Sequence, residues 1–438
     1  MTSLSVPSTA RSTTPAPQPP DPRPDQTAGK KLGRDWHLLF TAEAISVLGD
    51  GVFVAALPSL AAGYTRDPRL ISGLTVAGTL PWLVFSLQAG AIADRSESRR
   101  LSIWAQGWQL VCVALVGLLA LARGAGWGLG ALYVLAFGLG MAAALAKSAS
   151  QPLMTSIVPR EHLVSANGRL FTAQSVARDF AGPALGAALF ALAPTLPFWA
   201  DVATFGVSML LIARLPKPGA PASTPDPDRP RRRLRAEIKE GLTWLARHRL
   251  LRTTTMLSAV ANFGNTMGYA TLVLYVGVHR YGLLLSAAAI GGVIGGLVSR
   301  RAVARLGGRV VVRFTTSVTP LACIGVGLLG PNPIVLAVLL GVASLSASLW
   351  NVAVVSQRQR LVPTHLLARV SSAGIMVVWG MQPLGALVGG VVAARFGLAT
   401  PWVVGACCGW RPRCWRSGRC ESGGTEKPVS EDSVSAPA

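Results

Sequence analysis

Acidic residues are scarce in this chain: 19 Asp and Glu stand against 41 Lys and Arg, for a formal net charge of +22. Charge of either sign is also thin, at 14% of residues, where a soluble domain carries roughly a quarter. With 51% hydrophobic residues and a mean hydropathy of +0.46, the composition excludes an ordinary soluble domain. Cysteine gives no framework. Cys112 and Cys323 lie inside apolar runs, and Cys407, Cys408, Cys414 and Cys420 crowd the carboxyl end without CxxC spacing, so neither a zinc site nor a disulfide scaffold is expected. Histidines 37, 162, 248, 279 and 365 are scattered, with no pair at metal spacing. No GxxxxGK[ST] phosphate loop is present, which excludes ATP hydrolysis by that route. No constellation supports an enzyme, and no cofactor is expected beyond an ion gradient. A net charge of +22 also fits a nucleic-acid binder, so the positions of the cations have to decide.

What the chain does have is a succession of apolar runs, at about 36–62, 70–93, 101–122, 128–147, 166–192, 195–215, 251–278, 281–299, 309–330, 333–354 and 366–394. Each is long enough to cross a hydrocarbon core of roughly 30 Å at about 1.5 Å per residue. A twelfth stretch, Leu398 to Trp410, gives only about 20 Å of helix before Arg411, Pro412 and Arg413, so a truncated twelfth span is expected. From about 407 the texture changes to Cys, Trp and Arg and then to polar residues, as a shifted reading frame would produce. The expected fold is an all-α membrane protein of two six-helix bundles. Its predicted organisation is a disordered cytoplasmic tail over 1–33, a bundle over 34–215, a cytoplasmic linker over 216–250, a second bundle over 251–410 and an aberrant polar tail over 411–438.

Arg66, Arg69, Arg123, Arg280 and Arg395 fall on one side of this alternation and Arg178 falls inside a span. All the other Lys and Arg fall on the opposite side. By the positive-inside rule that side is the cytoplasm, with both termini on it. The cations are dealt out loop by loop, which removes the main support for nucleic-acid binding. The expected partners are the lipid bilayer and a small-molecule substrate, and the expected oligomeric state is a monomer. In the linker, Arg235 to His248 has an amphipathic pattern, read either as a helix lying on the inner membrane surface or as a solvated linker helix.

The two halves repeat each other. Gly90, Gln151, Val158-Pro159 and Leu163 recur as Gly296, Gln357, Val362-Pro363 and Leu367, at spacings of 206 or 204 residues. Six-span halves related by an axis along the membrane normal are a transporter architecture. The loop Gly90-Ala-Ile-Ala-Asp94-Arg95-Ser-Glu-Ser-Arg99-Arg100 and the repeat together resemble the major facilitator superfamily, nearest its enterobactin-exporter and macrolide-efflux branch, where Leu163 to Leu170 also looks similar. The resemblance implies that Gly90, Asp94, Arg95 and Arg99 latch the halves together at the cytoplasmic face. Plain positive-inside cations are the alternative. Gly182-Pro183-Ala-Leu-Gly186 resembles an antiporter motif of drug exporters, with Arg178 in place of its first glycine.

Charges inside spans are costly and mark function by default. Glu43, Asp50, Arg178, Asp179 and Asp201 are such charges, all in the amino-terminal half. Glu43 and Asp50 are seven apart and share a helix face. Proton coupling, first of all through Asp50, with Arg178 paired to Asp50 or Glu43 and Asp179 or Asp201 as a second acid, is one reading of the group, and a fixed ion network that packs the half is the other. Trp82, Gln88, Gln174, Asn262, Asn265, Tyr269, Trp350, Asn351, Trp379 and Gln382 are polar or aromatic and are expected to line a central amphipathic cavity. The expected activity is export of a hydrophobic or amphipathic small molecule by proton antiport. Proton-coupled uptake and a transport-incompetent product are the alternatives.

Overall fold

The computed structural model describes residues 33–122, 127–159, 162–216, 234–330, 332–362 and 364–409. Among them the regular structure is helical throughout, and eight helical segments are long and apolar enough to cross a membrane. The first four helices are α1 (Arg34–Tyr64), α2 (Pro68–Arg95), α3 (Ser98–Leu121) and α4 (Gly128–Ile157). The fifth span is split into α5 (Leu163–Ser175), a π-helical turn (Val176–Ala181) and α6 (Gly182–Leu192), and α7 (Leu196–Ala213) follows. After α8 (Leu234–Arg247) come α9 (Arg249–Tyr269), α10 (Leu272–Val276), α11 (Val278–Leu306), α12 (Gly308–Leu328) and α13 (Pro333–Leu361). The eleventh span divides into α14 (Thr364–Trp379) and α15 (Met381–Phe396), and α16 (Thr400–Gly409) ends the described chain.

Local sequence explains several boundaries. Asp67 caps α2 by accepting from the Arg69 amide at 2.9 Å, and Asn332 caps α13 by accepting from the amides of Ile334 and Val335. Each is followed by a proline in the first helical turn, where the missing N–H costs nothing. Between α10 and α11 the chain turns on Gly277 alone at φ 80°, a left-handed conformation that side chains disfavour. That single residue replaces the His279-Arg280 loop expected from sequence, and both residues belong to the first turn of α11.

Other boundaries correct the sequence reading. The fourth span does not stop at 147 but runs on to Ile157, which carries Lys147 into the body of α4. The amphipathic linker segment is α8, and part of its apolar face is covered by neighbouring helices. Trp244 and Leu245 pack with Leu251, Val362, Leu366 and Val370, fixing α8 to α9 and α14. The expected tails lie outside the described residues, apart from Gly33.

Packing repeats through the chain as the sequence does. In the first part α2 packs on α4, α3 on α4, and α7 on both α1 and α3. In the second part α11 packs on α13, α12 on α13, and α16 on both α9 and α12. The two parts meet through α2 with α15, and through α6 and the π turn with α11.

The ends of this assembly differ. Near the loops at 65–67, 193–195, 277 and 397–399, one continuous apolar core joins residues of both parts, among them Leu60, Ile71, Leu272, Val276 and Tyr281. Gly390 of α15 abuts Ser72 of α2 there, and Gly282 of α11 abuts Ala187 of α6. Toward the opposite end the core divides. Trp36, Leu39, Leu153 and Ile212 form a cluster from the first part only, and Leu245, Leu251, Val362 and Val370 form one from the second part only. The apolar core is thus shared by the two parts at one end and divided at the end where the cations concentrate.

Candidate functional site

The charged group is organised around three consecutive residues of α1, Gly49-Asp50-Gly51. Gly49 faces α7, and any side chain there would collide with the Asp201 carboxylate and the Thr204 hydroxyl. Gly51 faces the π turn. A Cβ on it would sit 2.7 Å from the Arg178 carbonyl oxygen and 3.0 Å from Gly182 Cα. The two glycines let α7 and the π turn approach α1 on either side of Asp50. Widened turns of this kind are rare and concentrate at functional sites. Here the π turn sets Arg178, whose side chain is exposed, within electrostatic reach of Asp50. Gly182, Pro183 and Gly186 are buried on the same seam, Gly186 against Val52.

Asp201 is almost wholly buried at 1% exposure. Its Oδ1 accepts from the Thr204 hydroxyl at 3.0 Å, and its Oδ2 has no hydrogen-bond partner among the described residues. A buried acceptor of this kind is uncommon and asks for a reason. Two turns along α1 from Asp50, Glu43 accepts from Ser150 of α4 at 2.8 Å and from Gln174 of α5 at 3.1 Å. Lys147, one turn from Ser150, is within electrostatic reach of Glu43. The site therefore spans α1, α4, the fifth span and α7. The side chain of Asp179 lies outside the described residues.

Lys147, Ser150, Thr204 and the two α1 glycines are absent from the sequence-derived set. The Gly-Asp-Gly triplet inside an apolar run was a readable signal for the last two. Lys147 was hidden because the hydropathy run ends at it.

The residues expected to line a central cavity do not all gather. Trp82 of α2 and Trp379 of α14 meet across the two parts with ring centroids 6.0 Å apart. Asn262 of α9 donates to the Val378 carbonyl at 3.0 Å, beside the break between α14 and α15, and Gln382 reaches Asn262 at 3.4 Å. Trp350 donates to Ser258 at 2.9 Å. Gln174 belongs to the Glu43 group. Tyr269 is drawn away, its ring packed on Trp402 of α16 at 5.3 Å. Gln88, Asn265 and Asn351 are exposed without a described contact.

In the expected latch, Arg99 donates to the carbonyls of Ile212 and Ala213 at the end of α7, inside its own part of the molecule. Arg100 pairs with Glu97 at 2.8 Å. Gly90 has open space around it, Arg95 is exposed, and the Asp94 side chain lies outside the described residues.

Comparison with known proteins fits this architecture. The family model of the Major Facilitator Superfamily matches residues 39–389. The multidrug efflux pump Tap of Mycobacterium tuberculosis is 28% identical over 382 residues, covering 82% of this chain and 87% of that protein. Tap of Mycolicibacterium fortuitum is also 28% identical, over 82% of this chain and 90% of that protein. Among solved structures, a variant of the nucleoside transporter NupG superposes with a TM-score of 0.65 at 12% identity, over 86% of this chain and 97% of its own. A bacterial homologue of the iron transporter ferroportin in the inward-facing state gives 0.64 at 16% identity, over 87% and 98%. With the family model covering most of its length, the chain belongs to the Major Facilitator Superfamily and is a multi-pass membrane transporter.

Proposed function

We propose that this transporter exports a hydrophobic or amphipathic small molecule by proton antiport, from the cytoplasmic side of the inner membrane, with both termini in the cytoplasm. The observation that carries the reading is the meeting of α1, α7 and the π turn at Gly49-Asp50-Gly51, in a molecule whose apolar core is shared at one end and divided at its cation-rich end. The Tap relatives, named multidrug efflux pumps, support export. The cation asymmetry supports the orientation.

In this reading the parted end faces the cytoplasm. Substrate enters between the two parts and meets the Trp82–Trp379 pair and the Asn262–Gln382 amides, which offer aromatic surface with a few polar contacts. Asp50 holds a proton when Arg178 withdraws and releases it when Arg178 approaches, because a neighbouring cation favours the carboxylate. The guanidinium is carried on the π turn, which contacts α11 of the other part, so a change in that contact as the parts rock would shift the turn relative to Asp50. Glu43, Asp179 and Asp201 complete the acidic set. Each cycle loads a proton from outside, unloads it inside and moves substrate the opposite way. The loop with Gly90, Asp94, Arg95 and Arg99 latches the cytoplasmic ends in the opposite state, where charge-assisted contacts unavailable to the parted form can be made.

The test is uptake of a fluorescent amphipathic dye into everted membrane vesicles, whose cytoplasmic face is outside, under an imposed pH gradient. Wild type should respond to the gradient, and Asp50→Asn should fall to the level of protein-free vesicles. Gradient-driven flux unchanged in Asp50→Asn would refute the coupling assignment, and no gradient-dependent flux of any amphipathic compound would refute export.

A further inference from the structure

Among the described residues the repeat in packing is incomplete beside α9. In the first part α7 covers α1 to its inner end, where Ile212 and Leu215 pack with Trp36 and Leu39. In the second part α16 packs on α9 closely at Gly264, which abuts Gly405, and at Gly268, which abuts Trp402. α16 is described to Gly409, and among the described residues the inner half of α9 meets no counterpart to the last turns of α7. A groove of about 950 Å³ occupies that position, walled by Met256 and Val260 of α9, Met381 of α15, and Val404 and Cys407 of α16. Its size is that of a ligand cleft. Every lining residue comes from α9, α15 or α16 and none from α1–α7, so this is not the space between the two parts.

The walls are apolar and the inner mouth is cationic. Arg252 lines the groove, and its Nη1 donates to the Ala246 carbonyl at 3.2 Å, which holds the side chain at the corner between α8 and α9. That corner is fixed by Leu245 and Leu251 in their apolar cluster. Arg247 and Arg249 are exposed on the same corner, and among the described residues no carboxylate pairs with any of the three. No acidic residue lines the groove.

We infer that this groove binds an anionic phospholipid, its acyl chain lying along Met256, Val260 and Val404 and its phosphate held by Arg252 with Arg247 and Arg249. Basic pockets at the cytoplasmic ends of membrane helices recognise anionic headgroups in this way. A zwitterionic lipid offers the same chain without net charge for the arginines. The lipid takes the place that the inner turns of α7 take in the first part, and it supports the inner half of α9, the helix that carries Ser258 and Asn262 toward the α14–α15 break.

The full chain, purified in detergent, is analysed by native mass spectrometry with phosphatidylglycerol or phosphatidylcholine added. Phosphatidylglycerol should be retained in preference, and retention should fall about fivefold for each guanidinium removed across Arg252→Gln, Arg249→Gln and Arg247→Gln. Val404→Trp, which fills the groove and leaves the arginines alone, should also lose it. Phosphatidylglycerol, and not phosphatidylcholine, should protect Met256 from hydroxyl-radical oxidation. Equal retention of both lipids, or retention unchanged in the arginine variants and in Val404→Trp, would overturn the inference. So would full protection of Met256 before lipid is added, because the groove would then be filled by the chain itself. These readouts involve no flux, so they stand or fall apart from the proton-antiport reading.

Discussion

Asp50 is legible in the sequence as a carboxylate within an apolar run, but its neighbours are not. Asp201 is 151 positions away and reaches α1 only because Gly49 leaves room for it. Arg178 comes within range only because Gly51 and Gly182 let two backbones approach. The residue-scale prediction follows from that approach. A Cβ on Gly182 would stand 2.6 Å from Gly51 Cα and 2.8 Å from the Ala177 carbonyl oxygen, both backbone atoms with little freedom to retreat. Gly182→Val should cost about 1–3 kcal/mol by overpacking, read as a lower unfolding temperature in detergent. An unchanged unfolding temperature would mean the helices are not this close. Gly168, whose Cβ meets open space, is the control position. Lys147 teaches the complementary lesson: a hydropathy window ends at a charge, whereas a helix continues through it if the charge finds an acid and an exposed path.

Interrupted helices are the feature that apolar periodicity conceals. The fifth span is continuous in hydropathy yet contains the π turn, and the eleventh is divided at Gly380. Pro183 and Pro383 announce local weakness, since each removes a helical hydrogen bond, but they do not say what takes up the freed groups. At the eleventh span the structure answers with Asn262, whose amide donates to Val378. Asn262→Ala should leave that part-buried carbonyl without its partner, at a cost of about 1–3 kcal/mol. The measurable outcome is faster amide exchange around residues 376–382 than in wild type. Exchange identical to wild type would show that the bond does not hold the break. The linker helix α8 makes the same point from another direction. Its amphipathic pattern was visible, but a pattern names a face that must be covered and not the surface that covers it, which here is α9 and α14.

At the scale of the whole molecule the informative property is the difference between its two ends. In the proposed reading, a core shared by both parts at one end and divided at the other corresponds to one of the two states of alternating access. Cross-linking across the closed end should therefore arrest transport. A Cβ at Gly390 would lie 2.9 Å from Ser72 Cβ, near the roughly 3.5–4.5 Å of a disulfide. The double variant Ser72→Cys with Gly390→Cys should cross-link spontaneously and lose dye efflux, and reductant should restore it. Undiminished efflux in the cross-linked protein would mean that this end never opens. Reading the nucleotide sequence beyond about codon 395 tests the expected frame shift. A continuous apolar helix in another frame would establish it, and its absence would remove the idea.

By itself the sequence determined the number and order of the apolar runs, the internal repeat, the side on which cations gather and the short list of charges inside spans. These are properties of composition and spacing, which the cost of placing charge and unpaired backbone in hydrocarbon enforces one segment at a time. Tertiary structure decided which charges meet, where long helices break, which face of α8 is covered and which end of the molecule is closed. Those outcomes depend on distances between segments far apart in the chain, and small residues such as Gly49, Gly51 and Gly182 set them by permitting close approach.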